Sequence, residues 1–227
     1  MNTIVNTLSV ALRATLVTLV LTGLVYPLVV TGLAQVVFPH RANGSIVVDD
    51  KGREVGSELI GQGFADPAYV RPRPSASGYD AANSSGTNLG TTSKKLRDGQ
   101  PDDPATKDVD ESFTGAAALA AAFRADNALP AGVDVPADAV TRSASGLDPH
   151  VSPETAMLQA GRIAKARGVA VDRVQAVVAT YTEGRELGLL GEPRVNVLAV
   201  NLALDRQFGR PPGRVAHAGA DGATMTK

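Results

Sequence analysis

The side chains with the clearest potential for chemistry lie close together in the second half of the chain. Ser145, Asp148 and His150 are the three residue types of a hydrolase triad, in which the imidazole takes the hydroxyl proton and the carboxylate orients the ring. Residues this near in sequence usually form a cap or a turn instead, and no G-x-S-x-G elbow presents a serine. We predict no catalytic residues, with a membrane-anchored extracytoplasmic hydrolase using His150 as the alternative.

Two loops share part of a nucleotide-enzyme motif. Gly56-x4-Gly61 has the glycine spacing of a phosphate loop, but Gln62-Gly63 stands where lysine and serine or threonine bind phosphate and magnesium. Asp50-Lys51-Gly52 is similar to the phosphorylated loop of cation-pumping ATPases, but Arg53 breaks that motif. The first pattern therefore does not predict nucleotide binding, and the second predicts a turn.

Composition argues against several other classes of site. Cysteine is absent, which removes disulfides, thiolate catalysis and cysteine-based zinc sites. The three histidines are His40 beside the long apolar stretch, His150, and His217 in the tail, so we predict no metal site. A net charge of -1 without a basic block gives no electrostatic footprint for nucleic acid.

One long apolar stretch sets where in the cell these residues can act. Residues 14–38 contain no Asp, Glu, Lys, Arg or His. As a helix they would reach about 37 Å at roughly 1.5 Å per residue, enough to cross a hydrocarbon core of about 30 Å. We predict a transmembrane helix over 14–38 after a short N-terminal segment, 1–13. The alternative is a cleaved signal preceding a secreted binding module, but the run is about twice the usual length of the apolar h-region in such a signal.

The predicted helix has features that suit packing against another helix. Gly23 and Gly32 allow close approach, and Tyr26-Pro27 falls mid-span, where Pro27 removes a backbone donor and should kink the helix. Its orientation stays open from charge alone, because Arg13 and the amino terminus on one side balance His40 and Arg41 on the other.

The remainder is long enough for one domain with its own core, which we place at residues 39–208, followed by a disordered tail at 209–227. Apolar spacing and turn residues predict a mixture of helices and strands. The expected elements are a hairpin (44–48 and 55–61), an ordered loop (61–93), a polar insertion (94–112), a helix (113–127), a strand (133–141), two helices beginning at Ser152-Pro153 and at Val171, and a strand leading into a helix (191–205).

Several blocks in unbroken order from Thr22 to Asp205 closely resemble one family, the C subunit of the bacterial high-affinity potassium-transporting P-type ATPase, the Kdp complex (KdpC). Any one block alone would be weak, whereas the ordered set is specific. The blocks are Leu24-Val-Tyr-Pro-Leu28, Gly56-Ser-x-Leu-Ile-Gly-Gln62, Arg73-Pro-Ser-Ala76, Gly86-x-Asn-Leu89, Ser143-x-Ser-Gly-Leu-Asp148, Ser152-Pro153 and Val195-Asn-Val-Leu-x-x-Asn-Leu-Ala-Leu-Asp205.

The resemblance implies a fold class and a location. It implies one N-terminal transmembrane helix plus a single mixed α/β (α+β) extracytoplasmic domain, in a single-pass protein of the bacterial cell (inner) membrane. It also implies a cytoplasmic N-terminus and a C-terminal domain outside. The implied partners are a channel-like A subunit, an ATP-hydrolysing B subunit and a small F subunit. The resemblance further implies that no cofactor is bound tightly and that the chain meets ATP only through the partner subunit.

The resemblance also implies a role and candidate contact residues. The family is described as an accessory subunit that catalyses no reaction itself. It is called a catalytic chaperone because it raises the ATP affinity of the B subunit, and Gln159 matches a glutamine implicated in that effect. An alternative interpretation, which we weight at least equally, is that Gln159 lies at the edge of the buried helix face and bonds a neighbouring loop. Residues 71–90 are our predicted interaction loop, through Arg71, Arg73, Pro74, Ser75, Tyr79 and Asn88. The predicted membrane-helix packing residues are Gly23, Tyr26, Pro27 and Gly32.

Overall fold

The computed structural model describes residues 2–49, 52–102 and 112–211, and it divides into two units between Ile46 and Val47. The first unit is helical, and the second combines short helices with two small sheets. The chain therefore has one N-terminal apolar helical unit and a mixed α/β remainder. Most of the predicted tail, residues 212–227, lies outside the described residues.

The first unit is one long helical run in several segments. From Thr3 to Val37 it is long and apolar enough to cross a membrane, with a mean hydropathy of 2.1 in its most apolar window and none of that window buried. Threonine hydroxyls in this run can bond within the helix, as the Thr22 hydroxyl does by donating to the Thr18 carbonyl at 2.7 Å. The segments are α1 (Asn2–Val20), a π-helical turn (Leu21–Val25), α2 (Tyr26–Val37) and α3 (Pro39–Ala42).

The π-helical turn lies directly before Pro27. A proline in a helix interior removes one donor, and its ring clashes with the preceding turn. A wider turn accommodates such a residue, and here the Tyr26 backbone N–H donates to the carbonyl of Leu21, five residues earlier. The disturbance expected at Pro27 is thus absorbed in Leu21–Val25.

The second unit begins with a hairpin, as predicted, and its strands are shorter than the sequence suggested. The remaining elements leave a long connection between residues 57 and 94. In order, the elements are β1 (Ile46–Val48), β2 (Glu54–Ser57), α4 (Lys94–Asp98), α5 (Ala116–Asp126), α6 (Ala137–Val140), β3 (His150–Val151), α7 (Pro153–Leu158), α8 (Ala160–Arg167), α9 (Val171–Thr180), β4 (Thr182–Glu183), β5 (Arg194–Asn196) and α10 (Val197–Phe208).

The core forms where α7 to α10 pack on the second sheet. That sheet is antiparallel in the order β3-β5-β4, with Val151 opposite Val195 and Thr182 also opposite Val195. Helix starts are fixed locally: the Ser152 hydroxyl accepts from the Thr155 N–H, and the Asn196 side chain accepts from the Ala199 N–H. The buried cluster comprises Phe64, Tyr69, Val70, Val151, Ala156, Ala160, Ile163, Ala164, Val174, Val177, Val178, Val195, Val197, Leu198, Val200, Ala203 and Leu204.

Two predictions within the domain need correction. The strand predicted at 133–141 is wrong, because the short helix α6 begins directly after Pro136, and the Asp138 carboxylate in its first turn accepts bonds from the Ser152 N–H and hydroxyl. The single helix predicted from Ser152-Pro153 is interrupted at Gln159, so it forms two helices, α7 and α8, and the second ends at Gly168.

The polar insertion predicted at 94–112 is partly structured. Ser93 caps α4 by accepting from the Leu96 N–H, and Gln100 pairs with Phe113 in an antiparallel bridge. Gly99 and Gly115 then pack backbone against backbone, leaving no room for a side chain at Gly115. Residues 103–111 of this segment lie outside the described part of the chain.

Candidate functional site

The pinned segment, residues 67–71, belongs to no helix or strand, yet it lies inside the domain. Ala68, Tyr69 and Val70 are at most 1% exposed. Buried backbone groups outside a helix or sheet need partners from side chains, because an unpaired polar group in the interior is costly. In this structure those partners come from α10 and from the region of α7 and α8.

Two side-chain carboxamides hold consecutive residues of the pinned segment. The Val70 N–H donates to Asn201 Oδ1 at 2.8 Å, and Asn201 Nδ2 donates back to the Val70 carbonyl at 2.9 Å. Gln159 repeats the arrangement on Arg71, accepting from its N–H at 2.8 Å and donating to its carbonyl at 3.2 Å. Each amide thus replaces the two hydrogen bonds that a neighbouring strand would supply.

Arg162 closes the same network from α8. Its guanidinium donates to the carbonyls of Pro67 and Tyr69 at 2.6 and 3.1 Å, and to Gln159 Oε1 at 2.6 Å. Burial, helped by the nearby positive charge of Arg71, lowers the pKa of Arg162 to about 10. The group still carries its charge at neutral pH, so it acts as a permanent donor to the pinned segment.

Arg167 and Asp205 hold the other end of the pinned segment through a buried ion pair. Arg167 donates to Asp205 and to the Ala68 carbonyl, both at 2.8 Å, and its guanidinium lies 5.0 Å from the centre of the Tyr69 ring. The Tyr69 hydroxyl donates to Asp205 at 3.0 Å. Burial, and then the adjacent carboxylate, raises the pKa of Tyr69 to about 12, so this tyrosine stays protonated.

Besides Arg71, three more of the predicted interaction-loop residues are bonded inside the domain. Arg73 pairs with Asp148 at 2.9 Å, and the Ser75 hydroxyl donates to the Gly146 carbonyl at 2.6 Å. The Tyr79 hydroxyl donates to the Arg73 carbonyl at 2.7 Å, and burial raises its pKa to about 12. These residues therefore shape the loop, while the prediction that the loop contacts a partner stays a prediction.

The loop also borders an open cavity of about 510 Å³ between the loop and α5. Pro74 and Tyr79 line one side, Leu119 and Phe123 of α5 line the other, and Arg71 bridges the edge in an ion pair with Asp126. Asn88 lies farther along the loop, exposed and with a positive φ of 53°. The structure thus brings five of the six predicted loop residues close to the core and leaves Asn88 on the surface.

The three residues considered for a hydrolase do not form a triad. His150 Nδ1 lies 3.8 Å from the Asp148 carboxylate, and Asp148 is already engaged by Arg73. The Ser145 hydroxyl accepts from the Leu147 N–H at 3.1 Å, as in a local turn. Burial lowers the pKa of His150, with Arg194 acting in the same direction. Within the part of the chain that the structure describes, no group of three metal-ligating residues occurs either.

Sequence reasoning missed most of the residues that hold the pinned segment. It named Gln159 and noted that this residue could bond a neighbouring loop, which is what the structure shows. It did not assign Asn201, Arg162 or Arg167 to the loop. The available signal was the carboxamide of Asn201 and the guanidinium of Arg167 beside apolar helix residues, a pattern typical of buried polar groups with fixed partners, and Arg162 gave no such signal.

The comparison with known proteins covers both units of the structure. A family model for KdpC, described as K+-transporting ATPase, c chain, matches residues 8–206. The chain belongs to the KdpC family. This KdpC match extends from within α1 through most of α10, so the apolar helical unit and the mixed α/β domain both belong to the family pattern.

Relatives agree with this assignment along nearly their whole length. A protein of Myxococcus xanthus is 57% identical over 209 residues, which is 91% of each chain. One from Caulobacter sp. (strain K31) is 51% identical over 191 residues, 83% of this chain and 88% of its own. One from Koribacter versatilis (strain Ellin345) is 46% identical over 202 residues, which is 88% of this chain and 94% of its own. Each carries the name potassium-transporting ATPase KdpC subunit.

Proposed function

We propose that the chain is a non-catalytic accessory subunit of a high-affinity, ATP-driven potassium uptake complex. The observation that carries the proposal is the family match over residues 8–206, supported by relatives that are named as subunits of a potassium-transporting ATPase. The unassembled triad at His150 further supports a role without chemistry of its own. The ATP-hydrolysing site then lies on a partner chain.

In this proposal the apolar helix anchors the subunit in the bacterial inner membrane. The N-terminus is cytoplasmic and the mixed α/β domain lies outside, as the family resemblance implies. The channel-like A subunit, the ATP-hydrolysing B subunit and the small F subunit complete the complex. The span of Thr3–Val37 supports membrane anchoring, because it is long and apolar and none of its most apolar window is buried.

The interaction loop is proposed to contact the A subunit near the potassium entrance and to stabilise the assembly. Any effect of Gln159 on the ATP affinity of the B subunit is then indirect. Gln159 is 1% exposed and bonded to Arg71 and Arg162, so a direct contact with nucleotide would require those bonds to break. Loss of Gln159 would instead alter the shape of the loop that its side chain holds.

Membership of the complex is tested by co-purification. The full-length chain carrying an affinity tag is co-expressed with the A, B and F subunits of its own ATPase, and the detergent-extracted complex is isolated. We expect the four chains in constant proportion, and potassium-dependent ATP hydrolysis that requires this chain. Recovery of this chain alone, with a fully active complex of the other three, would overturn the proposal.

Orientation is tested with single cysteines, which is straightforward because the natural chain has none. Thr3→Cys lies near the start of α1 and Thr92→Cys lies on the domain, and both positions are exposed. A membrane-impermeant maleimide applied to spheroplasts should label Thr92→Cys and spare Thr3→Cys until the membrane is permeabilised. Labelling in the reverse pattern would place the domain in the cytoplasm. Intact mass of the same samples shows whether the N-terminal segment is retained.

A further inference from the structure

The hairpin between β4 and β5 ends in an apolar tip, residues 187–190, which we call the leucine tip. Leu187 is 90% exposed, Leu189 79% and Leu190 61%. The turn is closed by a pair of hydrogen bonds of 2.9 Å each between Glu186 and Leu190. None of these leucines belongs to the buried core of the domain, and together they place three large apolar side chains within four residues at the end of the hairpin.

The backbone at the leucine tip is strained as well as exposed. Leu187 has a φ of 53°, in the left-handed region that bulky residues rarely adopt, and Gly188 follows with a φ of 74°. A non-glycine residue held this way costs free energy, and such residues cluster at binding sites. Asparagine or glycine would be less strained at position 187. A leucine there displays a large apolar side chain at the expense of local stability.

The charges at the base of the tip disfavour an anionic lipid surface as the occupant. Arg185 pairs with Glu192 at 2.6 Å, and Arg194 pairs with Glu183 at 3.1 Å and with Glu186 at 3.3 Å. Three carboxylates against two guanidinium groups leave the hairpin base a net charge of -1, with both cations already paired. Surface elements that bind anionic lipid carry an excess of free basic residues instead.

We propose that the leucine tip inserts into an apolar pocket on another protein subunit of the potassium-transporting ATPase. An apolar centre ringed by paired charges is the usual anatomy of a protein interface. The closed turn and the paired base present the leucines in a fixed geometry, so little side-chain and loop freedom is lost on binding. This inference rests on the proposed function, because it takes its partner from the same complex.

Leu187→Asn separates docking from folding. Asparagine accepts the left-handed conformation more readily than leucine, so the free variant should unfold at the same temperature as the natural chain or slightly higher. Binding should nevertheless weaken about tenfold or more, since a buried leucine is lost from the interface. Leu189→Ser and Leu190→Ser should act in the same direction. Leu59→Ser is the matched control, because Leu59 is also an exposed leucine, at 58%, and lies outside the hairpin of β4 and β5.

The measurement is co-purification of each full-length variant with the A, B and F subunits, together with its thermal unfolding. We expect Leu187→Asn to fold normally and to be recovered with the other subunits in much reduced amount, while Leu59→Ser is recovered like the natural chain. Recovery of all leucine-tip variants at the natural level would overturn this inference and leave the proposed function intact. Failure of the natural chain to co-purify would overturn both.

A fluorescent probe decides between protein and lipid as the occupant. Leu189→Cys provides a single thiol in a cysteine-free chain, to be labelled with an environment-sensitive dye before reconstitution. In nanodiscs of zwitterionic or anionic lipid alone, the dye should report water, and its emission should shift to the blue only when the A, B and F subunits are added. A blue shift in lipid alone, or no shift with the subunits present, would overturn the proposed docking.

Discussion

Replacing Gln159 with methionine should destabilise the domain, although it conserves the shape of the side chain and adds apolar surface. The glutamine makes two hydrogen bonds to the backbone of Arg71, one from the guanidinium of Arg162 and one to the Thr155 carbonyl. A thioether cannot replace them. The Arg71 N–H and carbonyl would lose their side-chain partner in a buried setting.

The size of the effect follows from the cost of unpaired polar groups. Each buried backbone group left without a partner costs about 1–3 kcal/mol, so two cost about 2–6 kcal/mol. Burial of the methionine side chain offsets part of this, and we expect a net loss of about 3 kcal/mol in the free energy of unfolding. For a domain of this size, that lowers the midpoint of thermal unfolding by roughly 6–12 °C.

The assay is thermal unfolding of the full-length chain in detergent, followed by near-ultraviolet circular dichroism. The chain contains no tryptophan and four tyrosines, and Tyr69 lies in the core beside the pinned segment, so the signal reports tertiary packing. Gln175→Met is the matched control, because Gln175 is exposed on α9 and the same substitution there should change stability by no more than about 0.5 kcal/mol.

A midpoint for Gln159→Met within about one degree of the natural chain would refute the assigned role of these bonds. If, in addition, the variant lowered the ATP affinity of the complex, Gln159 would have to act on nucleotide or on its binding subunit directly. A lowered midpoint together with weakened assembly would instead place its effect in the fold of the loop.

Two further predictions test burial and close packing. Folding raises the pKa of Tyr79 from 10.0 to about 12, so the stabilisation from keeping this phenol protonated is full below pH 10 and is lost between pH 10 and 12. In a pH titration followed by phenolate absorbance, Tyr79→Phe should therefore remove one phenol that titrates late. Gly115→Ala should lower the melting temperature strongly, because its Cβ would lie 2.2 Å from the Gly99 nitrogen, whereas Gly161→Ala in α8 meets nothing within 4 Å and should be neutral or stabilising. Equal melting temperatures for the two alanine variants, or an unchanged absorbance curve, would contradict these assignments.

Elements with local signals could be predicted from the sequence. Ser152-Pro153-Glu154 begins a helix because a hydroxyl, a proline and an acid each suit the first turn, and Gly168 ends α8 in a left-handed conformation at φ 65°. The alternating valines before Thr141 were misleading, because the decisive interaction is the bonding of Asp138 to Ser152, fourteen residues later.

The candidate site could be predicted only in part. The unusual composition of residues 61–93 predicts an ordered loop, and part of it is the pinned segment that the structure shows inside the domain. What the sequence does not show is where each side chain finds its partner, since Arg73 bonds Asp148 and Val70 bonds Asn201 across long separations. The leucine tip was also missed, because apolar residues between glycines look the same in sequence whether a partner or the core of the domain covers them.

The pairing of Val70 with Asn201 also sets the order in which the domain can be completed. The two residues are separated by 131 positions, and Asn201 lies on α10, the last helix among the described residues. A nascent chain emerging N-terminus first must therefore keep the segment around Val70 unfinished until translation has passed α10. Ribosomal pausing or premature termination before that point leaves this segment open to proteases and chaperones, even though every residue of the loop itself has already been made.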